Sequence, residues 1–134
     1  MNPYAACGFW PNRGRLAASV VDTEGRNHRV ALDVAGDSDY GSSLAALEER
    51  HGLDLQIVVP ETMLRGHPLA VVARARGMTV LAAPWLLAVE IAAVAYSRRS
   101  AQRLATVLAR LPGSRFQGHL RLLPPRDPRQ LLLL

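Results

Sequence analysis

The sequence predicts one α/β domain built on a mixed sheet with helices on its faces. Three extended runs joined by short turns occupy residues 3–34, and strand-like runs then alternate with helical patterns as far as residue 111. Short turns favour antiparallel neighbours, whereas strands that alternate with helices favour parallel crossovers. A length of 134 residues, with 49% hydrophobic and 20% charged residues, suits one folded domain.

The first part of the chain has the pattern of a three-strand antiparallel meander. Residues 3–10 are small and apolar, and residues 11–14 combine proline, asparagine and glycine in a turn. Residues 15–22 read as a second strand and residues 28–34 alternate as a third. The loop between them, residues 23–27, holds a glycine that can adopt a positive φ.

The second part of the chain is marked by helix start and stop signals around two apolar strands. Polar N-cap residues and prolines open helices, and glycines end them. The predicted elements are a helix that starts within residues 37–43 and stops at Gly52, a strand over 55–59, a helix over 68–75 before Gly77, a strand over 78–82, a helix over 84–96 and a helix from Ser97 or Ser100 to residue 111. These strands add two parallel members to the meander.

The end of the sequence differs in composition from the rest. Residues 114–134 contain three prolines, which favour an extended chain, and residues 131–134 are all leucine. We expect the leucines to pack on the domain or on a partner. The predicted division is a domain over residues 1–113 and a Pro/Arg/Leu-rich C-terminal extension over residues 114–134.

Basic charge is concentrated toward the end of the chain. All sixteen basic residues are arginine; residues 1–90 carry eight of them with ten acids, and residues 91–134 carry eight with one acid. Arginine suits phosphate and carboxylate, so this bias points to an anionic partner, although a solvated basic face explains it equally well. The candidate nucleic-acid-binding residues are Arg98, Arg99, Arg103, Arg110, Arg115 and Arg121, with Arg126 and Arg129 beyond them.

Several classes of protein fit the sequence poorly. One cysteine, Cys7, allows no intrachain disulfide, and the four histidines lack the short spacing of metal ligands. Residues 79–96 are strongly apolar, but Pro84 and Glu90 interrupt them, which favours a buried strand and helix over a membrane span. The first residues do not resemble a signal peptide. We therefore expect a cytoplasmic protein with no membrane contact and no metal.

Three segments, in this order, carry a resemblance to a known family. Residues 8–25 open with Gly-Phe-Trp and continue through a Val-Asp pair to a glycine; residues 58–77 hold an apolar strand that ends in Glu-Thr, then a Pro-Leu-Ala helix start. Residues 96–105, YSRRSAQRLA, match the spacing of a Thr-Asp-x-x-Asp-Ala-x-x-Leu-Ala helix. Together they resemble the N-terminal RuvC-like domain of IS110-family transposases, within the RNase H-like superfamily, over roughly residues 4–111.

The resemblance implies an RNase H-like fold whose metal-binding acids are mostly replaced. The family holds two metal ions with the pattern Asp, Glu, Asp, Asp, which aligns with Trp10, Glu61, Ser97 and Ser100. Two divalent ions need several acidic ligands, and only Glu61 is a carboxylate. We therefore expect these four positions to be vestigial, with no catalytic residue, no metal and no cofactor.

Each of these positions also has an ordinary structural interpretation. Trp10 either fills a core volume, which we favour, or stacks on a base or partner. Glu61 is either a remaining ligand or a favourable anion at a helix start, and Ser97 and Ser100 suit helix N-caps. Cys7 lies in an apolar strand without an evident base, which disfavours a nucleophile.

The leading functional hypothesis is a non-catalytic RNase H-like domain that binds nucleic acid, or a nucleic-acid-processing partner, through its arginine-rich C-terminal region. A second hypothesis is a structural adaptor that self-associates through residues 131–134. A third is a divergent nuclease, resolvase or transposase-like enzyme that uses Mg²⁺ or Mn²⁺ with acids outside the aligned positions.

Overall fold

The computed structural model describes residues 3–12, 15–30, 40–65, 67–84 and 101–124 of the chain. Six strands form one mixed sheet in the order β3-β2-β1-β4-β5-β6. The strands are β1 (Ala6–Asn12), β2 (Arg15–Val21), β3 (Asn27–Val30), β4 (Gln56–Pro60), β5 (Val80–Ala83) and β6 (Arg121–Leu123). The helices are α1 (Tyr40–His51), α2 (Leu69–Ala75) and α3 (Ala101–Arg110), with 3-10 turns at Glu61–Leu64, Leu111–Gly113 and Gln117–His119.

The sheet combines an antiparallel half and a parallel half, as the sequence predicts. β1 pairs antiparallel with β2, and β2 pairs antiparallel with β3. β4 pairs parallel with both β1 and β5. The fold is therefore an α/β structure in which β1 joins the meander to the parallel strands.

Local turn chemistry sets the ends of several elements. The β2–β3 loop turns at Gly25, whose φ is +83°, and the Asp22 carboxylate accepts hydrogen bonds from the backbone N–H groups of Glu24 and Arg26. Gly52 follows α1 with a φ of +101°, and Gly77 follows α2 with a φ of +85°. A residue with a Cβ adopts these angles only at a cost, which confirms the predicted glycine stops.

The predicted turn over residues 11–14 is too long. Pro11 and Asn12 continue β1 and pair with Leu16 and Arg15 of β2. β4 pairs with β1 only from Ala6 to Gly8, so Pro11 lies where β1 has a neighbour on one side. A residue without an N–H group is tolerated there.

Helices cover both faces of the sheet. Side chains of α1 and α2, including Leu44, Leu47 and Leu69, share one apolar cluster with Phe9 and Ile57 of the sheet. On the opposite face, α3 forms a second apolar cluster with β1, β2, β4 and β5. Its buried members are Ala6, Trp10, Ala17, Val58, Ala83, Leu104, Ala105, Leu108 and Leu111. Alternate residues of β1 thus face opposite layers.

Contact between α3 and β1 is unusually close at Gly8. A Cβ built on Gly8 would lie 2.0 Å from the Ala105 carbonyl oxygen and 2.7 Å from the Ala109 backbone nitrogen. Only glycine allows the helix backbone to approach the strand to this distance. Gly8 therefore positions α3 over the centre of the sheet.

β6 and the three 3-10 turns of the described residues are not predicted by the sequence. The 3-10 turn Glu61–Leu64 directly follows β4, and β6, which comes from the C-terminal extension, pairs antiparallel with β5. The predicted helix over 84–96, the N-cap residues Ser97 and Ser100, and the leucines at 131–134 lie outside the described residues. Among the helices of the described part of the chain, none has the length and apolar character to cross a membrane.

Candidate nucleic-acid interface

Trp10 and Glu61 lie at the same end of two neighbouring strands, but one side chain is buried and the other is exposed. Both are at the carboxyl ends of adjacent parallel strands, Trp10 within β1 and Glu61 immediately after β4. Trp10 is only 8% exposed and packs in the apolar cluster under α3 with Leu104 and Leu108. Glu61 is exposed to solvent. Trp10 is therefore part of the core.

The Glu61 carboxylate has an arginine partner. Arg121 of β6 places its Nη1 atom 3.5 Å from Glu61 Oε1, and both side chains are about half exposed. Together with Thr62, Leu64 and Arg65 they line an open cavity of about 460 Å³. One candidate arginine is thus paired with Glu61, the only carboxylate among the four candidate positions Trp10, Glu61, Ser97 and Ser100.

Helix α3 separates apolar and basic residues onto different sides. Leu104, Ala105 and Leu108 are buried against the sheet, whereas Arg103 and Arg110 are exposed. Seven residues are close to two helical turns, so the two arginines share one side of the helix. The amphipathic pattern that predicts this helix also places its arginines on the surface.

Beneath these arginines, a chain of hydrogen bonds joins α3 to the sheet. The Thr106 hydroxyl donates to the Ser19 hydroxyl of β2 at 2.9 Å, and Ser19 donates to Asn27 Oδ1 of β3. Gln102 Nε2 donates to the Ala18 carbonyl oxygen at 2.9 Å. Ser19 and Thr106 are buried, so these bonds hold polar groups that would otherwise be costly to bury.

A groove runs between β3 and α3 above this network, with a volume of about 190 Å³. We call it the arginine groove; its lining residues are Asn27, Arg29, Gln102, Arg103, Thr106 and Arg110. Sequence reasoning did not select Arg29, which comes from the acid-balanced half of the chain. Arg29 and Arg110 line the same groove because elements about eighty residues apart pack together, which local sequence patterns do not encode.

A second cavity shares Arg110 with the arginine groove. It has a volume of about 310 Å³ and mostly small or apolar walls; we call it the Tyr4 cavity, and its other lining residues are Tyr4, Ala6, Val21, Gly25, Ala109 and Gly113. Tyr4 itself is 44% exposed. The Arg110 side chain thus lies between a polar groove and an aromatic-walled cavity.

A larger cavity, of about 820 Å³, lies between β3 and the end of α1. We call it the histidine cleft; it shares Asn27 and Arg29 with the arginine groove, and its other lining residues are Ala5, Asp22, Thr23, His28, Arg50 and His51. His28 Nε2 is 2.7 Å from Asp22 Oδ2, and the rings of His28 and His51 are 5.6 Å apart between centroids. The hydrogen bond to His28 lowers the pKa of Asp22, and backbone N–H groups add to this effect. Partial burial lowers the pKa of His51, with a further contribution from the charge of His28. Among the described residues, no group of three His, Cys, Asp or Glu is arranged to hold a metal ion.

The remaining predicted residues are dispersed or undescribed. Arg115 is exposed and places its guanidinium 4.8 Å from the centre of the Phe116 ring. Cys7 is fully buried, and burial raises the pKa of its thiol, which fits a core residue. The candidates that lie outside the described residues are Ser97, Arg98, Arg99, Ser100, Arg126 and Arg129. Of the predicted arginines, the structure brings Arg103 and Arg110 together and places Arg115 and Arg121 elsewhere.

No protein-family model matches the chain, and no curated protein matches it.

Proposed function

We propose that this chain is a non-catalytic RNase H-like domain that binds nucleic acid through phosphate contacts from the exposed arginines of α3 and the segment after it. The observation that carries the proposal is the placement of Arg103 and Arg110 on one exposed side of α3, with Arg29 across the groove. Residues 101–124 contain four arginines and no acid. Such a concentration of positive charge attracts a phosphate backbone.

The fold part of the proposal is supported by the sheet. A three-strand antiparallel meander lies beside two parallel strands, with β1 between the two halves. This is the arrangement that the resemblance to RuvC-like domains of IS110-family transposases implies. The helices on both faces agree with the same proposal.

The non-catalytic part of the proposal is supported by Trp10 and Glu61. Trp10 aligns with the first metal-binding acid of the family and is buried in an apolar cluster. Glu61 is engaged with Arg121. A tryptophan and one paired carboxylate do not supply the charge that two divalent ions require. Binding by arginine needs neither metal nor cofactor. The proposal includes a cytoplasmic location, where nucleic acid is accessible.

The proposal is tested by measuring binding as a function of salt concentration. Fluorescence anisotropy with labelled DNA and RNA should show affinity that falls steeply as salt rises, because bound arginines release counterions from the backbone. Replacing Arg103 and Arg110 with Gln should reduce the slope of log affinity against log salt by about 1.4 to 1.8. No binding to any DNA or RNA at low salt would overturn the proposal.

A matched control uses two arginines on the opposite face of the sheet. Arg50 of α1 and Arg76 after α2 are both exposed, and neither lines the arginine groove. The double variant Arg50→Gln, Arg76→Gln removes the same charge and should leave the salt slope unchanged. If both double variants lowered the salt slope equally, net charge alone would account for the attraction of nucleic acid.

A further inference from the structure

Two cavities of different chemistry share one arginine in their walls. The arginine groove offers guanidinium groups, an amide and a hydroxyl, and the Tyr4 cavity offers an exposed aromatic side chain among small and aliphatic ones. Arg110 lines both. A ligand that occupied both would therefore carry an anionic group joined to a flat apolar one.

The arginine groove fits a single phosphate group. Its volume of about 190 Å³ is small, and Arg29 and Arg110 approach it from β3 and α3. Guanidinium groups match phosphate oxygens in charge and geometry. The buried bonds among Thr106, Ser19 and Asn27 keep the floor of the groove in place. The groove thus presents donors from two elements whose separation is fixed.

The Tyr4 cavity fits a nucleobase. Its volume of about 310 Å³ is larger than that of the groove, and Tyr4, Val21 and Ala109 provide aromatic and aliphatic walls. Bases stack on aromatic side chains with little dependence on sequence, since every base has a π-face. Tyr4 is 44% exposed, so its surface is open to a ligand.

We propose that the arginine groove and the Tyr4 cavity together bind one nucleotide of a single-stranded nucleic acid, with the phosphate between Arg29 and Arg110 and the base against Tyr4. This inference rests on the proposed function and specifies its ligand as single-stranded. In a duplex the bases are paired and stacked, so a base reaches such a cavity only after leaving the stack. The site therefore favours a single strand over a duplex of the same sequence.

The experiment compares three labelled ligands of about ten nucleotides: a single strand, the matched duplex, and a strand whose sugars carry no bases. Each is titrated into the full chain at about 50 mM salt, where phosphate contacts are strong. The single strand should bind about tenfold more tightly than either other ligand. Equal affinity for the base-free strand would overturn the base contact.

Variants assign the effect to the two cavities. Tyr4→Leu should weaken the normal single strand about tenfold and leave the base-free strand unchanged, whereas Tyr4→Phe keeps a stacking ring and should bind normally. Arg29→Gln should weaken both strands and lower the salt slope by about 0.7. Arg50→Gln is the matched charge control and should have no effect. Circular dichroism confirms that each variant is folded.

The outcomes separate this inference from the proposed function. If no ligand binds, the proposed function fails and the nucleotide site with it. If the strands bind through Arg103 and Arg110 but Tyr4→Leu and Arg29→Gln change nothing, the proposed function stands and the nucleotide site is wrong. A nucleoside 5′-monophosphate that competes as strongly as the whole strand would identify a free nucleotide as the ligand and overturn the single-strand assignment.

Discussion

The Thr106 hydroxyl of α3 donates a hydrogen bond of 2.9 Å to the Ser19 hydroxyl of β2 across a largely apolar interface. Ser19 is completely buried, and its hydroxyl donates a hydrogen bond to Asn27 Oδ1 of β3. The bond therefore links the helix that carries the exposed arginines to the edge strand that carries Arg29. The same bond that stabilises the packing of α3 on the sheet therefore also fixes the two sides of the arginine groove relative to each other.

Removing the Thr106 hydroxyl should destabilise the protein. Thr106→Val keeps the side-chain volume but leaves the buried Ser19 oxygen without its donor, which costs about 1 to 2 kcal/mol. Urea unfolding of Thr106→Val, Ser19→Ala and the double variant measures this cost. The double variant should lose less than the sum of the single losses, because both remove the same bond.

The control for this series is Thr62→Val, since Thr62 is exposed. Its free energy of unfolding should change by less than about 0.5 kcal/mol. Strict additivity of the Thr106 and Ser19 effects would show that the two hydroxyls do not interact.

Replacing Gly8 with alanine should destabilise the protein far more than the same replacement at Gly41. The Cβ of Gly8→Ala would overlap the Ala105 carbonyl oxygen at 2.0 Å, so α3 must move away from β1. We expect a loss of about 3 kcal/mol or more. At Gly41 in α1 an added Cβ meets nothing within 4 Å, and Gly41→Ala should stabilise the helix by about 0.5 kcal/mol. Thermal unfolding of the two variants gives the comparison, and a Gly8→Ala protein as stable as wild type would contradict the described packing.

The predictable parts of this fold are those that local chemistry determines. Gly25, Gly52 and Gly77 each mark the turn or helix end that the sequence indicates, because a positive φ favours glycine regardless of the tertiary structure. β6 could not be found in this way. It has three residues, and it exists through its pairing with β5 about forty residues earlier in the chain.

The candidate site was only partly predictable for the same reason. The amphipathic pattern of α3 places Arg103 and Arg110 on the surface, and that part follows from periodicity. Arg29 joins them only because α3 packs over β1 and β2, with Gly8 permitting the close approach, and β3 is the next strand beyond β2. Tyr4 likewise becomes a candidate through the three-dimensional position of residues that precede β1.

The histidine cleft predicts a pH dependence of stability. Burial, and then the charges of His28 and Arg50, lower the pKa of His51, while Asp22 acts in the opposite direction. The unfolded chain therefore binds a proton more readily than the folded chain in the pH range just below the ordinary histidine pKa of about 6.5. Stability should rise with pH through that range, and acidification should weaken the contact between His28 of β3 and His51 of α1.

Urea unfolding between about pH 5 and pH 8 tests this prediction. His51→Gln should flatten the rise in stability, whereas His119→Gln, at an exposed position, should leave it intact. Asp22 acts in a lower range: its lowered pKa contributes stability above the ordinary Asp value, and this is lost as pH falls through the folded-state value. A wild-type curve without a slope near neutral pH would contradict the assignment to His51.

The Glu61–Arg121 pair predicts opposite effects of two neutralising substitutions on binding. The ion pair is 3.5 Å long and both side chains are about half exposed, so it should contribute less than about 1 kcal/mol to stability. Glu61→Gln releases Arg121 and removes a negative charge, which should raise the affinity for a single strand about twofold. Arg121→Gln should lower the affinity, with little change in the unfolding temperature of either variant.

The same proteins, incubated with Mg²⁺ or Mn²⁺ and supercoiled, branched or single-stranded substrates, should leave the nucleic acid intact, because one paired carboxylate does not hold two ions. Cleavage by the wild type that Glu61→Gln abolishes would instead establish the nuclease alternative.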